Sequence, residues 1–133
     1  MRLISHLNFD GQCEAAFRLY EQALGGTITC LLTYGSQRNP ATSAELHDKI
    51  FHATLKVGDQ TLTGVDVAPT AYEKPRGFSV QLNLEDPAQA IRIYESLSAS
   101  GVLLFPMQPT SWAGHYAAFT DRFHIPWEIN CPA

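Results

Sequence analysis

Two stretches of the sequence repeat almost the same six residues: AFRLYE begins at Ala16 and AIRIYE begins at Ala90, an offset of 90 − 16 = 74 positions. Around each stretch the apolar residues recur three and four positions apart, which is the spacing of an amphipathic helix. Each predicted helix follows one strand pattern and precedes three more. Chance reuse of common helix-forming residues is the alternative, but the repeated order of elements favours two copies of one structural unit.

The first copy begins with an alternating strand, LISHLNF at residues 3–9, in which Leu7 and Phe9 take the apolar face. A helix over 13–24 ends at a GG pair, and the β-rich stretch TITCLLTY follows. Residues 35–49 are rich in turn formers and predict a long loop that serves as a lid or a dimer arm, or has no role. IFHATLKV and TLTGVDV, joined by GDQ, then predict a hairpin.

The second copy repeats this order after a polar linker at residues 69–76. FSVQLNL predicts a strand, and the next helix has Asp86 as its N-cap followed by a proline. VLLFPM predicts another strand, while HYAAFT and IPWEINC predict a closing hairpin. The sequence thus predicts one domain over residues 1–133, built of a module over 1–68 and a module over 77–133.

The repeat also predicts how each helix packs and what each sheet leaves uncovered. The side chains expected to pack the helices on their sheets are Ala16, Phe17 and Tyr20 in the first copy and Ala90, Ile91 and Tyr94 in the second. Each four-stranded sheet then has its helix on one face only. The predicted fold class is α+β, with two βαβββ modules whose uncovered faces form a half-barrel cleft, and polar residues on those faces are the functional candidates.

Charge and composition narrow the class of protein. Nine Lys and Arg stand against thirteen Asp and Glu, a formal charge of −4, and no basic run offers a surface for nucleic acid. The first residues reach charge and a turn too soon to predict a signal peptide, and no apolar run approaches the roughly 18 residues of a membrane span, so no membrane partner is expected and the expected location is cytoplasmic. Cys13, Cys30 and Cys131 form no CxxC pair and are expected to be reduced thiols.

Three stretches carry a resemblance to a known family: HLNFDGQCEAAFRLYEQALGG, FHATLKVGDQTL and TSWAGHYAAFTDRFHIPWEIN. In this order, and with a short second module, the chain resembles the PhnB-like branch of the vicinal oxygen chelate superfamily. That superfamily includes glyoxalase I, extradiol dioxygenases and bleomycin-resistance proteins, and the resemblance implies their fold. Some PhnB-like proteins carry a demethylubiquinone methyltransferase label, but this sequence has no glycine-rich loop after a first strand to hold S-adenosylmethionine.

The resemblance also implies where a divalent metal ion would bind in the metal-dependent members. Their ligands are His or Glu on the first and last strand of each module, and Glu128 falls on the Glu of the terminal strand. On the first strand the ligand position falls between residues 4 and 6, where only His6 would serve. Ligands for the other two positions are missing, since the fourth strand offers Thr and Val and the fifth offers Phe78 or Ser79.

Strand alternation adds His52 to the candidates. In FHATLKV every second residue from Phe51 to Val57 is apolar and is expected to face the helix, which places His52, Thr54 and Lys56 on the uncovered face. His52 is open to three interpretations: a metal ligand, a general acid or base, or a hydrogen-bonded residue of the cleft wall.

Aromatic residues at the start of the seventh strand are the other candidates for ligand contact. Trp112, His115 and Tyr116 combine aromatic surface with polar tips, which suits an apolar ligand that carries hydroxyls or amides. The alternative for Trp112 is a core residue that closes one end of the half-barrel.

Glu128 is the most specific candidate on the last strand. Because neighbours on a strand alternate, Glu128 is expected to point away from Trp127 and Ile129 and into the cleft. A carboxylate there needs a metal, a cation or hydrogen-bond donors. His6 and His52 are its expected partners.

Two functions follow from these residues. The first is small-molecule binding without a complete metal site, in which His6, Thr54 and the three aromatic residues named above contact the ligand. The alternative is a divalent-metal-dependent lyase, isomerase or dioxygenase acting on vicinal oxygens, with His6, His52 and Glu128 as metal ligands and His52 and Glu128 as catalytic residues. In either case a homodimer is expected, because a single chain would leave its sheet edges exposed.

Overall fold

The computed structural model describes residues 1–37 and 43–133 and divides into two compact units, Met1–Glu73 and Lys74–Ala133. Part of the predicted loop over 35–49, namely 38–42, lies outside the described residues. The described part of that loop forms short 3-10 turns at Tyr34–Ser36 and Ala44–Leu46. No helix in the described ranges is long and apolar enough to cross a membrane.

The first unit is a four-stranded sheet with one helix. Its elements are β1 (Ser5–Phe9), α1 (Cys13–Leu24), β2 (Thr27–Thr33), β3 (Ile50–Val57) and β4 (Gln60–Asp66). The strand order is β1-β4-β3-β2, with β1 parallel to β4 and the other pairs antiparallel. The crossover from β1 through α1 therefore places the helix on one face of this sheet.

The second unit has the same topology. Its elements are β5 (Val80–Asn83), α2 (Pro87–Ser98), β6 (Val102–Gln108), β7 (His115–Thr120) and β8 (Pro126–Cys131). The order β5-β8-β7-β6 repeats that of the first sheet, again with one parallel pair, β5 and β8. The predicted α+β fold with two βαβββ units is confirmed.

The first helix packs as its sequence predicts. Ala16, Phe17 and Tyr20 are fully buried, and the helix ends at Gly25, whose left-handed conformation (φ 70°) suits a residue without a side chain. The alternation of β1 is confirmed as well, since Leu7 and Phe9 are buried between exposed neighbours.

The second helix uses a different stripe from the one predicted. Asp86 caps it as expected, accepting a hydrogen bond from the backbone N–H of Ala88. Its buried residues, however, are Ala90, Ile93 and Leu97, whereas Ile91 is exposed. The expectation that Ile91 packs on the sheet is wrong because Ile93 and Leu97 continue the three-four spacing from Ala90 and turn Ile91 outward.

One residue of β3 also departs from simple alternation. Phe51 is 44% exposed, although Ile50 and Ala53 are buried, so its predicted place on the helix-facing side is wrong. Between Ile50 and His52 the strand advances two residues while β2 advances one, which makes Phe51 the extra residue of a bulge. Its ring turns toward Tyr34, with the centroids 5.4 Å apart.

Two buried carboxylates hold loop ends in place. Asp66, at the end of β4, accepts hydrogen bonds from the backbone N–H groups of Cys13 and Ile50 at 2.9 and 2.8 Å. Asp121, in the turn between β7 and β8, accepts from the N–H groups of Phe123 and Ile125. Both carboxylates replace backbone partners that these segments lack.

Candidate functional site

Glu128 lies on the face of the second sheet that α2 does not cover, which we call the open face. Trp127 and Ile129 are fully buried on the opposite face, so the predicted direction of Glu128 away from both agrees with the structure. One carboxylate oxygen accepts a hydrogen bond from the Ser79 hydroxyl at 2.6 Å, and the other accepts one from the Tyr116 hydroxyl. Within this unit, the donors around Glu128 are therefore hydroxyl groups.

These hydrogen bonds hold Glu128 in its ionised form. The Ser79 and Tyr116 hydroxyls lower the pKa of the Glu128 carboxyl against the opposing effect of partial burial. The same contact raises the pKa of Tyr116 to about 12, because the phenol donates to the carboxylate and loses that bond on ionisation. The pair is thus an anion beside a phenol that stays protonated at neutral pH.

Two further aromatic rings pack against Tyr116, the phenol that donates to Glu128. The ring of Tyr116 meets that of Phe105 at a centroid distance of 5.2 Å and that of Trp112 at 5.4 Å, both edge to face. Trp112 is 64% exposed and Phe105 is 36% exposed. The alternative of Trp112 as a core residue is therefore wrong, and the trio leaves aromatic surface open to solvent.

His115 does not join this cluster. Alternation along β7 places it on the same face as the buried residues Ala117 and Phe119, opposite Tyr116. Its Nδ1 is buried and has no hydrogen-bond partner in the described part of the chain. His115 and Tyr116 are thus separated because adjacent residues of a strand point to opposite faces, and the ligand contact predicted for His115 stays a prediction.

The first sheet also has an open face, the one that α1 does not cover, and this face carries the two predicted histidines. The rings of His6 and His52 stack with centroids 6.5 Å apart. His6 Nδ1 is hydrogen-bonded to the Thr63 hydroxyl at 2.7 Å, and His52 Nε2 to the Thr54 hydroxyl at 3.0 Å. Partial burial, followed by the proximity of His52, lowers the pKa of His6 and favours its neutral form.

Two basic side chains, Lys56 and Arg2, extend this face beyond the predicted site residues. The Lys56 ammonium and the Arg2 guanidinium both donate to the Thr61 hydroxyl, at 2.8 and 2.7 Å. Alternation placed Lys56 correctly, but Arg2 lies before β1, where no strand period indicates its direction. The two open faces therefore differ in chemistry, since the first is basic and rich in hydroxyls and the second is acidic and aromatic.

The described residues do not provide a complete set of ligands for a metal ion. Within residues 1–37 and 43–133, no three His, Cys, Asp or Glu side chains group closely enough to hold a metal ion together. His6 and His52 are the only members of the predicted set of His6, His52 and Glu128 that the structure pairs. The described residues thus show no full donor set for a divalent metal ion, and the metal and catalytic roles predicted for His52 and Glu128 stay predictions.

The half-buried position of His52 leads to the first expected result. Replacing His52 with Ala should alter binding at the open face while lowering the denaturation midpoint only slightly, because the side chain contacts Thr54 and the His6 ring rather than the core. Chemical denaturation compared with Leu55→Ala, a truncation of a fully buried neighbour on β3, tests this. A loss of about 2 kcal/mol or more for His52→Ala, as in core truncation, would contradict it.

The hydrogen bonds of Glu128 also predict a pH dependence of stability. A carboxyl whose pKa is lowered by folding stabilises the folded state above its ordinary value of 4.5, and this contribution is lost as the pH falls through the lower folded-state pKa. Glu128→Gln should therefore reduce the steepness of acid destabilisation below that value, as measured by denaturation at a series of pH values. An unchanged acid slope in the variant would contradict the assignment.

The chain is an α+β protein built of two βαβββ units. The sequence model described as "Glyoxalase/Bleomycin resistance protein/Dioxygenase superfamily" matches residues 3–129, nearly the whole chain. The protein belongs to this superfamily.

Individual relatives agree with this assignment. Protein YjdN of Escherichia coli is 27% identical over 139 residues, covering 98% of this chain and 95% of its own. The crystal structure of protein PA1353 from Pseudomonas aeruginosa has a TM-score of 0.93 at 38% identity, with 99% of this chain and 98% of that chain covered. A PhnB protein from Bacillus cereus, described as a putative 3-demethylubiquinone-9 3-methyltransferase, has a TM-score of 0.83 at 16% identity, covering 98% and 99%. The predicted superfamily is thereby confirmed, and the likeness to the PhnB protein shows a shared fold.

Proposed function

We propose that this protein binds a small organic molecule on the open face of its second unit, and that this binding needs no complete metal site. One observation carries the proposal. The Tyr116 hydroxyl donates to the Glu128 carboxylate, and the Tyr116 ring packs against the rings of Phe105 and Trp112. Partly exposed rings offer apolar contact area, and one fixed polar group orients a ligand. His6 and Thr54, on the open face of the first unit, stay proposed as further ligand contacts.

The metal-dependent alternative rests on the stacked pair of His6 and His52. Two imidazoles fall short of the three protein ligands typical of catalytic metal sites, so this function requires a further donor. Elemental analysis of protein purified without added metal or an affinity tag separates the two functions, since only the alternative demands a stoichiometric divalent ion.

The tryptophan side chains of this protein provide spectroscopic probes of the proposed binding. It contains two tryptophans, of which Trp112 lies at the proposed site and Trp127 is fully buried. In NMR spectra, aromatic fragments that are neutral, cationic or anionic should shift the indole signal of Trp112, while that of Trp127 serves as the internal control. If no fragment of any charge class shifts the Trp112 signal at millimolar concentration, the proposed function is wrong.

We also propose that the protein is a homodimer, as its sequence predicts. Edge strand β6 supports this, because the consecutive residues from Val102 to Leu104 are all apolar and exposed, Leu104 by 66%. Sedimentation at micromolar concentration should give twice the 14.7 kDa chain mass, and Leu104→Lys should favour the monomer. Ile91→Lys, at an exposed apolar position of α2, is the control that should remain dimeric. A wild-type monomer would contradict the proposal.

A further inference from the structure

Glu128 is electrostatically isolated within its sheet. Across the four strands of the second unit, Glu128 and His115 are the only acidic, basic or imidazole side chains, and His115 lies on the other face. None of the described Lys, Arg or His residues forms an ion pair with the Glu128 carboxylate. The negative charge on this open face is therefore not neutralised by a described residue of the chain.

The local hydrogen bonds keep that charge in place without satisfying it fully. A carboxylate has about four acceptor positions, and the Ser79 and Tyr116 hydroxyls occupy two of them. Hydroxyl donors fix the direction of the carboxylate but bring no positive charge. The remaining acceptor positions suit a donor or cation that comes from outside the chain.

The aromatic trio supplies the second half of the same recognition chemistry. The face of an aromatic ring is electronegative, so exposed rings near an anion attract organic cations as well as apolar groups. Phe105 and Trp112 both pack against Tyr116, whose hydroxyl reaches Glu128, so the rings and the charge form one continuous cluster. A carboxylate joined through the Tyr116 hydroxyl to a cluster of three aromatic rings combines the two features by which proteins hold quaternary and substituted ammonium groups.

We infer that the open face of the second unit selects an organic cation: an aryl- or alkylammonium whose positive end lies at Glu128 and whose apolar body lies on Phe105, Trp112 and Tyr116. This inference rests on the proposed small-molecule function and names the ligand class. A bare metal ion fits less well, because one carboxylate with two hydroxyls is a poor donor set and three aromatic rings add no ligands to it.

A matched pair of probes tests the inference. (4-Hydroxyphenyl)trimethylammonium and 4-tert-butylphenol have the same shape and differ in one positive charge, and titration of the Trp112 indole signal gives the affinity of each. The cation should bind about tenfold more tightly than its neutral counterpart. In Glu128→Gln, whose amide oxygen can still accept a hydroxyl hydrogen bond, that preference should fall to about twofold.

A second variant keeps the test independent of Glu128. Phe105→Leu retains apolar contact but removes one ring, so it should weaken binding of the cation more than binding of the neutral probe. Should Glu128→Gln fail to fold, this difference decides the question together with 4-tert-butylbenzoate, an anion that should bind more weakly than either probe. Equal affinity for cation and neutral probe in the wild type would overturn the inference and leave the proposed function standing, whereas no shift with any probe would reject both.

Discussion

Replacing Asp121 with Ala is expected to lower the free energy of unfolding by about 3 kcal/mol or more, because each buried donor left without an acceptor costs about 1–3 kcal/mol. The Asp121 side chain is 1% exposed. One carboxylate oxygen accepts from the backbone N–H groups of Phe123 and Ile125, and the other accepts from the Trp127 indole N–H at 2.9 Å. The Ala variant would remove all three of these hydrogen bonds at once.

The control for this result is an aspartate with a single, exposed hydrogen bond of the same kind. Asp86 caps α2 by accepting from one backbone N–H, so Asp86→Ala should cost about 1 kcal/mol. Urea denaturation of both variants gives the comparison. If Asp121→Ala lost no more stability than Asp86→Ala, the Asp121 hydrogen bonds would contribute little to the folded state.

Asp121 also influences the proposed site, because it holds the turn of the β7–β8 hairpin that carries Tyr116 and Glu128. Its carboxylate fixes the turn from β7 into β8, and that turn sets the register in which Ala118 lies opposite Glu128. In this register Glu128 stands within reach of Tyr116, two residues along β7 from Ala118. A buried carboxylate outside the site thus determines which side chains meet inside it.

Periodicity is enough to predict the order and type of the elements. The alternation of β1 and the three-four spacing of α1 arise from residues close in sequence, and both are observed as predicted. The buried stripe of α2 was misplaced, because the AIRIYE repeat includes Ile91 and stops short of Leu97. Likewise, the bulge that exposes Phe51 depends on pairing with β2, which a single-strand pattern does not contain.

Periodicity likewise predicts only part of the site, namely the direction of single side chains on their own strands. His52 and Glu128 follow from alternation on their own strands, and the His6–His52 stack follows once β1, β4 and β3 are neighbours. The partners of Glu128 do not, because Ser79 lies 49 residues away in sequence and meets it only through the parallel register of β5 and β8. Hydrogen bonds between distant strands need the register, which sequence spacing alone does not give.

Gly101 is the second position at which a large effect is expected. An added Cβ would lie 2.1 Å from the carbonyl oxygen of Thr120 and 3.1 Å from the Cα of Asp121. These are backbone atoms at the start of the Asp121 turn, so they cannot move aside as a flexible side chain would. Gly101→Ala should therefore lower the free energy of unfolding by about 3 kcal/mol, the upper part of the range for overpacking.

Gly25→Ala separates this steric effect from backbone strain. Gly25 has a positive φ of 70° with no atom within 4 Å of an added Cβ, so its replacement should cost only the strain of about 1–2 kcal/mol. Gly101→Ala should also perturb the hairpin that positions Glu128, and the Tyr116 signals in NMR spectra should shift in that variant but not in Gly25→Ala. Equal stability of the two variants, with unshifted Tyr116 signals in both, would mean that the backbone at Thr120 accommodates a methyl group and does not control the site.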